Sequence, residues 1–486
     1  MDAKGIKALK TAETKEKMLR YCQNYIEDFP KGLICVMQKF PPIILFFVLL
    51  SCPLFAQKKV VAASSTLPAG VAAATVERVA RALADDAMEG RAPTQPGGLK
   101  AAQFLAAEFK QLGLEPLPGL SSYEQVFPAY ETKTAALYVT INGVNIPQDK
   151  SFLVSGQAQL NWTDADDPAA RVMVIGPQAL PRQVYRQIFE PTENLILILD
   201  PAHADDFQRM VSSTRRGKLQ AEKPGPYSCV VVLAATPNAG IKFRVAANTT
   251  VRPIDIRNVV GVLPGKDKAK AAEMVIFSSH YDHLGLLEPV SGDNIANGAD
   301  DDASGTTAVV ALAEYFKKKN DNARTLVFVA FTAEEIGGFG SQYFSRQLEA
   351  KQIVAMFNIE MIGKQAKFGP NTAFITGFDK SDFGKLLQRN LTATPFRFEP
   401  DPYPEQNLFY RSDNATLARL GVPAHTISTD QIPTDKLYHT VDDEVESLDL
   451  PNMTAVITAI ARSAAGIISG AQTPTRIAPE AVTKRP

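Results

Sequence analysis

Five histidines occur in this 486-residue chain, and two of them stand near acidic residues in patterns suited to holding a divalent cation. His280-Tyr281-Asp282-His283 places a carboxylate two residues after an imidazole. A neutral imidazole is the usual zinc ligand, and Asp282 is placed to accept from the other ring nitrogen and fix its tautomer. Gly298-Ala299-Asp300-Asp301-Asp302-Ala303-Ser304-Gly305 sets three carboxylates at a helix start. Their repulsion demands cations or helix N–H groups nearby, and one Asp can bridge two metal ions through its two oxygens. Phe331-Thr332-Ala333-Glu334-Glu335 supplies adjacent glutamates. One can bind metal while its neighbour takes a proton from the water that the metal activates. Glu360 and His439, the latter in Tyr438-His439-Thr440-Val441-Asp442, complete a set of two imidazoles, three carboxylates and a spare glutamate. Such N/O ligation suits zinc ahead of cobalt or manganese.

Each motif alone has a plainer reading. An Asp-rich loop is commonly a solvated turn, and a Glu-Glu pair is commonly surface charge. Their recurrence at the ends of successive apolar runs is what separates them from that background. Of the other histidines, His203 and His425 read as structural and His283 as a candidate pocket residue. No serine nucleophile elbow or phosphate-cradling glycine loop competes for the chemistry.

The elements that would position these residues form an α/β alternation. Residues 258–263, 274–279, 325–331 and 353–359 read as strands, with helices over about 303–319 and 340–349. Continuous apolar runs separated by helices predict a central mixed, mostly parallel sheet flanked by helices. Ligands in such sheets sit beyond the carboxyl ends of the strands, where the polar motifs fall. Upstream, helices are predicted over 72–88 and 99–112, and residues 136–141 run into Asn142-Gly143, a hairpin signal. Runs at 172–175, 195–199 and 228–233 suggest a smaller strand-containing domain inserted within 130–255. The division expected is an extension and export signal over 1–56, two parts of one main α/β domain over 57–129 and 256–470, the second carrying the candidate metal site, the insertion between them, and a tail over 471–486.

Charge supports no polyanionic partner, because 51 basic and 52 acidic residues nearly cancel and nucleic-acid binding needs concentrated positive potential. Lys39 precedes an apolar run over 43–50 that continues to Ala56. It is short against the roughly 20 residues of a spanning helix and reads as an export signal. Met37 is a plausible start, and cleavage after Ala56 would leave no stable transmembrane segment. Leu49-Leu50-Ser51-Cys52 also resembles a lipoprotein box with Cys52 as the lipid-bearing residue. A secreted, periplasmic or outer-membrane-anchored protein is expected. Beyond Cys22, Cys35 and Cys52 only Cys229 remains, so an intrachain disulfide in the mature part is excluded. Cys229 lies in an apolar run and reads as a buried strand residue.

The ordered set of His280-x-Asp282, Gly298 to Gly305, Glu334-Glu335 and Tyr438-His439-Thr440 resembles metallopeptidase family twenty-eight, the co-catalytic zinc aminopeptidases related to glutamate carboxypeptidase. The likeness is strong over 258–449 and weak over 90–123. It implies two zinc ions: His280 and Glu360 on one, Glu335 and His439 on the other, with Asp301 bridging both. It further implies Glu334 as general base and Asp282 as the group orienting His280. Asn407, Arg411, Ser412 and Asp413 match a segment bordering the substrate pocket. Two departures stand out. Glu360 replaces the family's usual Asp, adding a methylene, and Asn414 stands where a His is common.

The expected reaction is release of N-terminal residues from peptides by a zinc-activated water. Alternatives are glutaminyl-peptide cyclisation, carboxypeptidase action, or a non-catalytic binding protein on the same fold.

Overall fold

The structure, a computed structural model, describes residues 70–165, 170–178, 182–215, 218–236 and 240–482. The export-signal and lipid-box readings, Cys52 included, lie outside those residues. Among the described residues no helix is long and apolar enough to cross a membrane.

Helices α1 (Ala73–Leu83) and α2 (Pro96–Gln111) precede the long strand β1 (Glu124–Ile141). The next segment supplies β2 (Ser151–Ser155), β3 (Arg171–Ile175), α3 (Arg182–Phe189), β4 (Leu195–Leu199), α4 (Ala204–Arg215) and β5 (Ser228–Leu233). A second long strand, β6 (Phe243–Leu263), leads to β7 (Met274–His280), α5 (Gly305–Lys319), β8 (Thr325–Phe331), α6 (Phe339–Arg346) and β9 (Ile353–Ile359). Then follow β10 (Thr372–Ile375), α7 (Phe383–Asn390), β11 (Arg397–Pro400), β12 (Ala424–Ser428) and α8 (Leu450–Ser463).

The main sheet runs β11-β10-β12-β9-β7-β8-β6-β1. Strands β12, β9, β7 and β8 are parallel to one another, whereas β6 and β1 are antiparallel additions. The sheet is therefore mixed, parallel in its centre and antiparallel on the β6–β1 side. Parallel strands need cover on both faces, and the period-2 alternation divides their side chains accordingly. Val275, Phe277, Phe328 and Phe357 join Val76 of α1, Val309 of α5 and Val456 of α8 in one core. Ile276, Val327, Val329 and Met356 join Phe344 of α6 in the other.

The predicted helix over 72–88 stops at Leu83 and gives way to a tight turn, Asp86–Arg91, in which Glu89 and Gly90 have positive φ. Gly90 is required there: an added Cβ would stand 2.5 Å from the Ala296 carbonyl oxygen. Helix α2 starts three residues before the predicted 99 because Pro96 is tolerated at the first helical turn.

The runs at 172–175, 195–199 and 228–233 do pair, in a second sheet ordered β2-β5-β4-β3. Helices α3 and α4, which the sequence reading lacks, cover one face through Val184, Ile188, Phe207 and Met210. Positions 130 and 255 fall inside β1 and β6, whose register pairs Tyr130 with Pro253. The chain thus leaves the main sheet and returns along one antiparallel ribbon.

Candidate metal centre

Strands β7, β8 and β9 end side by side, and the titratable residues lie just beyond their carboxyl ends. His280 closes β7, Glu334 and Glu335 follow β8 by three and four residues, and Glu360 follows β9 directly. Asp301 comes from the irregular turn Ala299–Ser304 that leads into α5, and His439 from a loop after β12. His439 has φ +61, a backbone region that few residues other than glycine adopt.

The three adjacent aspartates divide their work. Asp302 accepts from the backbone N–H groups of Gly305 (2.9 Å), Met361 (3.1 Å) and His280 (3.3 Å). Asp300 accepts from the Gly363 N–H at 2.8 Å. Asp443 accepts from the N–H groups of both Asp300 and Asp301. These bonds fasten the turn to its surroundings and leave Asp301 as the member whose oxygens meet the imidazoles.

His280 Nε2 stands 3.3 Å from Asp301 Oδ1, His439 Nε2 stands 3.2 Å from Asp301 Oδ2, and His439 Nε2 stands 3.1 Å from Glu335 Oε2. Ligand atoms on one tetrahedral zinc at about 2.0 Å would be roughly 3.3 Å apart. The His280 ring strengthens the fit. Its Nδ1 faces the Asp282 carbonyl oxygen at 3.1 Å and so carries the proton, leaving the Nε2 lone pair opposite Asp301. That Nε2 is buried without a hydrogen-bond partner, and so is Glu360 Oε2. Buried acceptors that face one another without a proton between them are the arrangement a cation resolves.

Electrostatics agree with the geometry. Burial lowers His280, but Asp301, Asp302 and Glu334 outweigh it and hold the ring well above its ordinary range, so the position between Nε2 and Asp301 favours positive charge, a proton or a cation in its place. Burial likewise opposes the imidazolium of His439, yet Asp301 and Glu335 raise it to about 10. Glu334 is buried and pushed well above the carboxylate range, with Glu360, Asp413 and Glu335 adding to the effect against His280. Burial raises Glu360 to about 7. So dense a negative field calls for positive charge.

Asp282 acts differently from the sequence expectation. The His280 Nδ1 bond goes to its backbone carbonyl, and the nearer carboxylate oxygen is 3.9 Å from the ring. The carboxylate instead accepts from the N–H groups of Glu334 (3.1 Å) and Glu335 (3.4 Å), fixing the glutamate turn. Two unspent N–H groups at that turn outcompete a ring nitrogen that already has an acceptor. His283 lies deeper in the site than a pocket wall: its Nδ1 donates to Glu335 Oε1 at 2.7 Å and is 3.8 Å from Asp301 Oδ2.

Among the described residues, two groups of side chains are close enough to hold a cation: His283, Asp301 and Glu335, and separately Asp300, Asp430 and Asp435. In the second, Lys364 Nζ already stands 2.6 Å from Asp435 and 3.3 Å from Asp300.

A small pocket of about 70 Å³ opens from Asp301, Glu334, Glu335 and Glu360 and is closed by Met361, Phe374, Leu408 and Ile432. Arg411 and Ser412 line both this pocket and a larger cavity that also reaches Asn407 and Asp413. Asp413 is buried with neither carboxylate oxygen hydrogen-bonded, and burial raises it to about 7. The apolar pocket wall was not legible, because Phe374 and Ile432 belong to no motif. Tyr438, which lines both cavities and stacks on His439 at 3.8 Å, stands within the quoted His439 motif. His203 and His425 are structural: His203 bonds the Gly176 carbonyl oxygen, and His425 bonds Ser381 and the Thr376 carbonyl oxygen. Cys229 is buried in β5.

Comparison with solved structures gives the class of fold. An aminopeptidase from Aneurinibacillus sp. strain AM-1 superposes with a TM-score of 0.53 at 17% identity, covering 82% of this chain and 94% of that one. The zinc aminopeptidase BSAP of Bacillus subtilis superposes at 0.51 with 14% identity, covering 82% and 96%. At those identities the likeness is one of fold. Residues 258–464 match the model of Peptidase family M28. Leucine aminopeptidase 1 of Pyrenophora tritici-repentis is 28% identical over 210 residues, 40% of this chain and 51% of its own length. A probable zinc metalloprotease of Pyrenophora teres f. teres is 31% identical over 128 residues, 26% of this chain and 27% of its own. The chain thus spans about half the length of the leucine aminopeptidases it matches.

Proposed function

We propose that the protein is a zinc-dependent aminopeptidase that releases N-terminal residues from peptides. The observation that carries this is the convergence of His280, Asp301, Glu335 and His439 at 3.1 to 3.3 Å beside the unengaged base Glu334. Names of the relatives support it, since they include leucine aminopeptidases and a zinc metalloprotease. His280 and Glu360 would hold one zinc, Glu335 and His439 the other, and Asp301 would bridge them. Bound zinc supplies Lewis acidity, polarising the scissile carbonyl and bringing the pKa of a water down to about 7.

The chain's own residues do the rest. Glu334 takes a proton from the attacking water and returns it to the leaving amine. Asp282 holds the Glu334 and Glu335 backbone, so the base and its ligand neighbour keep a fixed separation. The N-terminal side chain enters the pocket closed by Met361, Phe374, Leu408 and Ile432, whose lining favours an apolar residue. Asn407, Arg411, Ser412 and Asp413 border the cavity on the leaving-group side.

The test combines metal analysis of the purified protein with hydrolysis of aminoacyl and Gln-peptide substrates. About two zinc ions per chain and chelator-sensitive release of N-terminal Leu are expected. Cyclisation of Gln-peptides without aminoacyl release would overturn the reading. Glu334→Gln should keep its zinc and lose turnover by about 10²- to 10⁴-fold; full activity would remove Glu334 as base.

Export follows from Lys39 and the apolar run over 43–56, and Cys52 offers a lipid anchor as the alternative to a released protein. N-terminal sequencing of the natively expressed protein distinguishes a start at Gln57 from a blocked, lipidated Cys52. The domain division at 130 and 255 is likewise our proposal, supported by the separate sheet and the apolar cores around β2 to β5.

A further inference from the structure

Beyond the small pocket lie an inner and an outer cavity, both larger than it. The inner one, about 640 Å³, starts at Glu334, Glu335 and His439. The outer one, about 800 Å³, lies between the inserted block, at Ser155, Gln220, Lys223 and Tyr227, and the peptidase frame at Ile336 and Phe339. Gly337, Gln342 and Arg419 line both, so the two form one corridor leading from the metal centre to beneath the inserted block. The inner cavity also shares Glu334, Glu335, Arg411, Ser412 and Tyr438 with the small pocket. The reacting groups therefore stand at a junction: a closed end sized for one side chain, and an open end far longer.

The far wall is fixed in place. Phe127 and Ala129 of β1, Leu219 and Ile256 pack with Ala333, the residue before Glu334. Phe127 stacks on Tyr343 of α6 at 4.4 Å with planes 8° apart. The root of the inserted block and the glutamate turn thus share one small core, and the corridor is preorganised rather than assembled on binding.

Resting on the aminopeptidase reading, we propose that this corridor holds the substrate chain beyond the scissile bond, making peptides of four or more residues the preferred substrates over dipeptides and amino-acid amides. An N-terminal side chain fills the small pocket, and the rest of the peptide leaves through the adjoining inner cavity, with which the pocket shares Glu334, Glu335 and Tyr438. Each cavity alone falls within the roughly 300–1,000 Å³ of a site for a drug-sized ligand, and two in series exceed what one further residue occupies. Extended chain, advancing about 3.3–3.6 Å per residue, suits such a passage. Binding energy gathered there tightens the hold on longer substrates, so length is expected to lower KM and raise kcat/KM.

The test is a series sharing an N-terminal Leu: leucinamide, Leu-Ala, a tetrapeptide and a hexapeptide, on the zinc-loaded full chain. A rise in kcat/KM of about tenfold or more from dipeptide to tetrapeptide is expected. In a Lys223→Ala/Tyr227→Ala variant, altered only on the exposed wall of the inserted block, the quotient of hexapeptide over leucinamide should fall towards one. A fluorescent hexapeptide should also bind the Glu334→Gln protein about tenfold tighter than a fluorescent dipeptide, a comparison free of turnover. Hydrolysis of leucinamide with no length dependence, or equal binding of the two probes, overturns the corridor alone. No hydrolysis anywhere in the series by zinc-loaded protein sinks the aminopeptidase reading, and this proposal with it.

Discussion

At the scale of single residues, His283 holds the proposed ligand Glu335 from behind. Its ring is buried, and its Nδ1 donates to Glu335 Oε1, so Glu335 Oε2 is the oxygen left facing His439. Gly298 makes room for that ring, since a Cβ there would come within 2.5 Å of it. Groups that orient a metal ligand typically matter by about 10- to 100-fold in metal affinity. His283→Ala is expected to lower zinc affinity by about that factor in competition with a chromogenic chelator. Unaltered affinity would reduce His283 to filler. The motif His280-Tyr281-Asp282-His283 was visible in the sequence, but not that its second imidazole would meet a glutamate 52 residues away.

Elements hold the site through a few buried polar groups. Arg91 is fully buried, and its guanidinium donates to the carbonyl oxygens of Leu83, Tyr281, Asn297 and Gly298 at 2.5 to 2.8 Å. It ties the end of α1 to the loop after β7 and to the turn that carries Asp301. Arg91→Met would strand those carbonyls in the core, and a loss of roughly 3–5 kcal/mol in denaturant unfolding is expected. An unshifted midpoint would disprove this anchoring. In β12, His425 is fully buried against Phe383 and pushed down to about 4 by burial. Its folded pKa lies below the unfolded value, so the unfolded chain binds the extra proton. The stability owed to the neutral ring is complete above about 6.5 and is lost as pH falls towards 4, on the order of 3 kcal/mol in all. Comparing wild type with His425→Gln by urea unfolding between pH 7 and pH 4 isolates this share; parallel pH curves would refute it.

For the whole molecule, the metal centre is also a concentration of like charge. Asp282, Asp301, Asp302, Glu334, Glu335 and Glu360 crowd the ends of three parallel strands, and burial leaves water little chance to screen them. Ions that bind only the folded chain stabilise it by mass action, about 4 kcal/mol at a thousandfold excess over Kd. Chelation is therefore expected to lower Tm by several degrees, and re-addition of zinc to restore it in a calorimetric scan. An identical Tm with and without metal would show that the carboxylates settle their charge another way.

The sequence by itself determined the α/β frame and named residues that the structure brings together beyond the ends of its strands. Apolar runs over 325–331 and 353–359 became strands with those bounds, because a continuous run of that length buried on both faces has one stable place in a sheet. His280, Asp301, Glu334, Glu335, Glu360 and His439 were nameable because their side-chain types are costly to bury without a shared purpose. Tertiary structure alone decided which atoms meet. Asp282 turned its carboxylate to backbone N–H groups, Asp300 and Asp302 were spent on the turn, and His283 came in behind Glu335. The corridor belongs to the same class, for its two walls are far apart in the chain. Such outcomes depend on competition among donors and acceptors from distant segments, and no local pattern of residues records who wins.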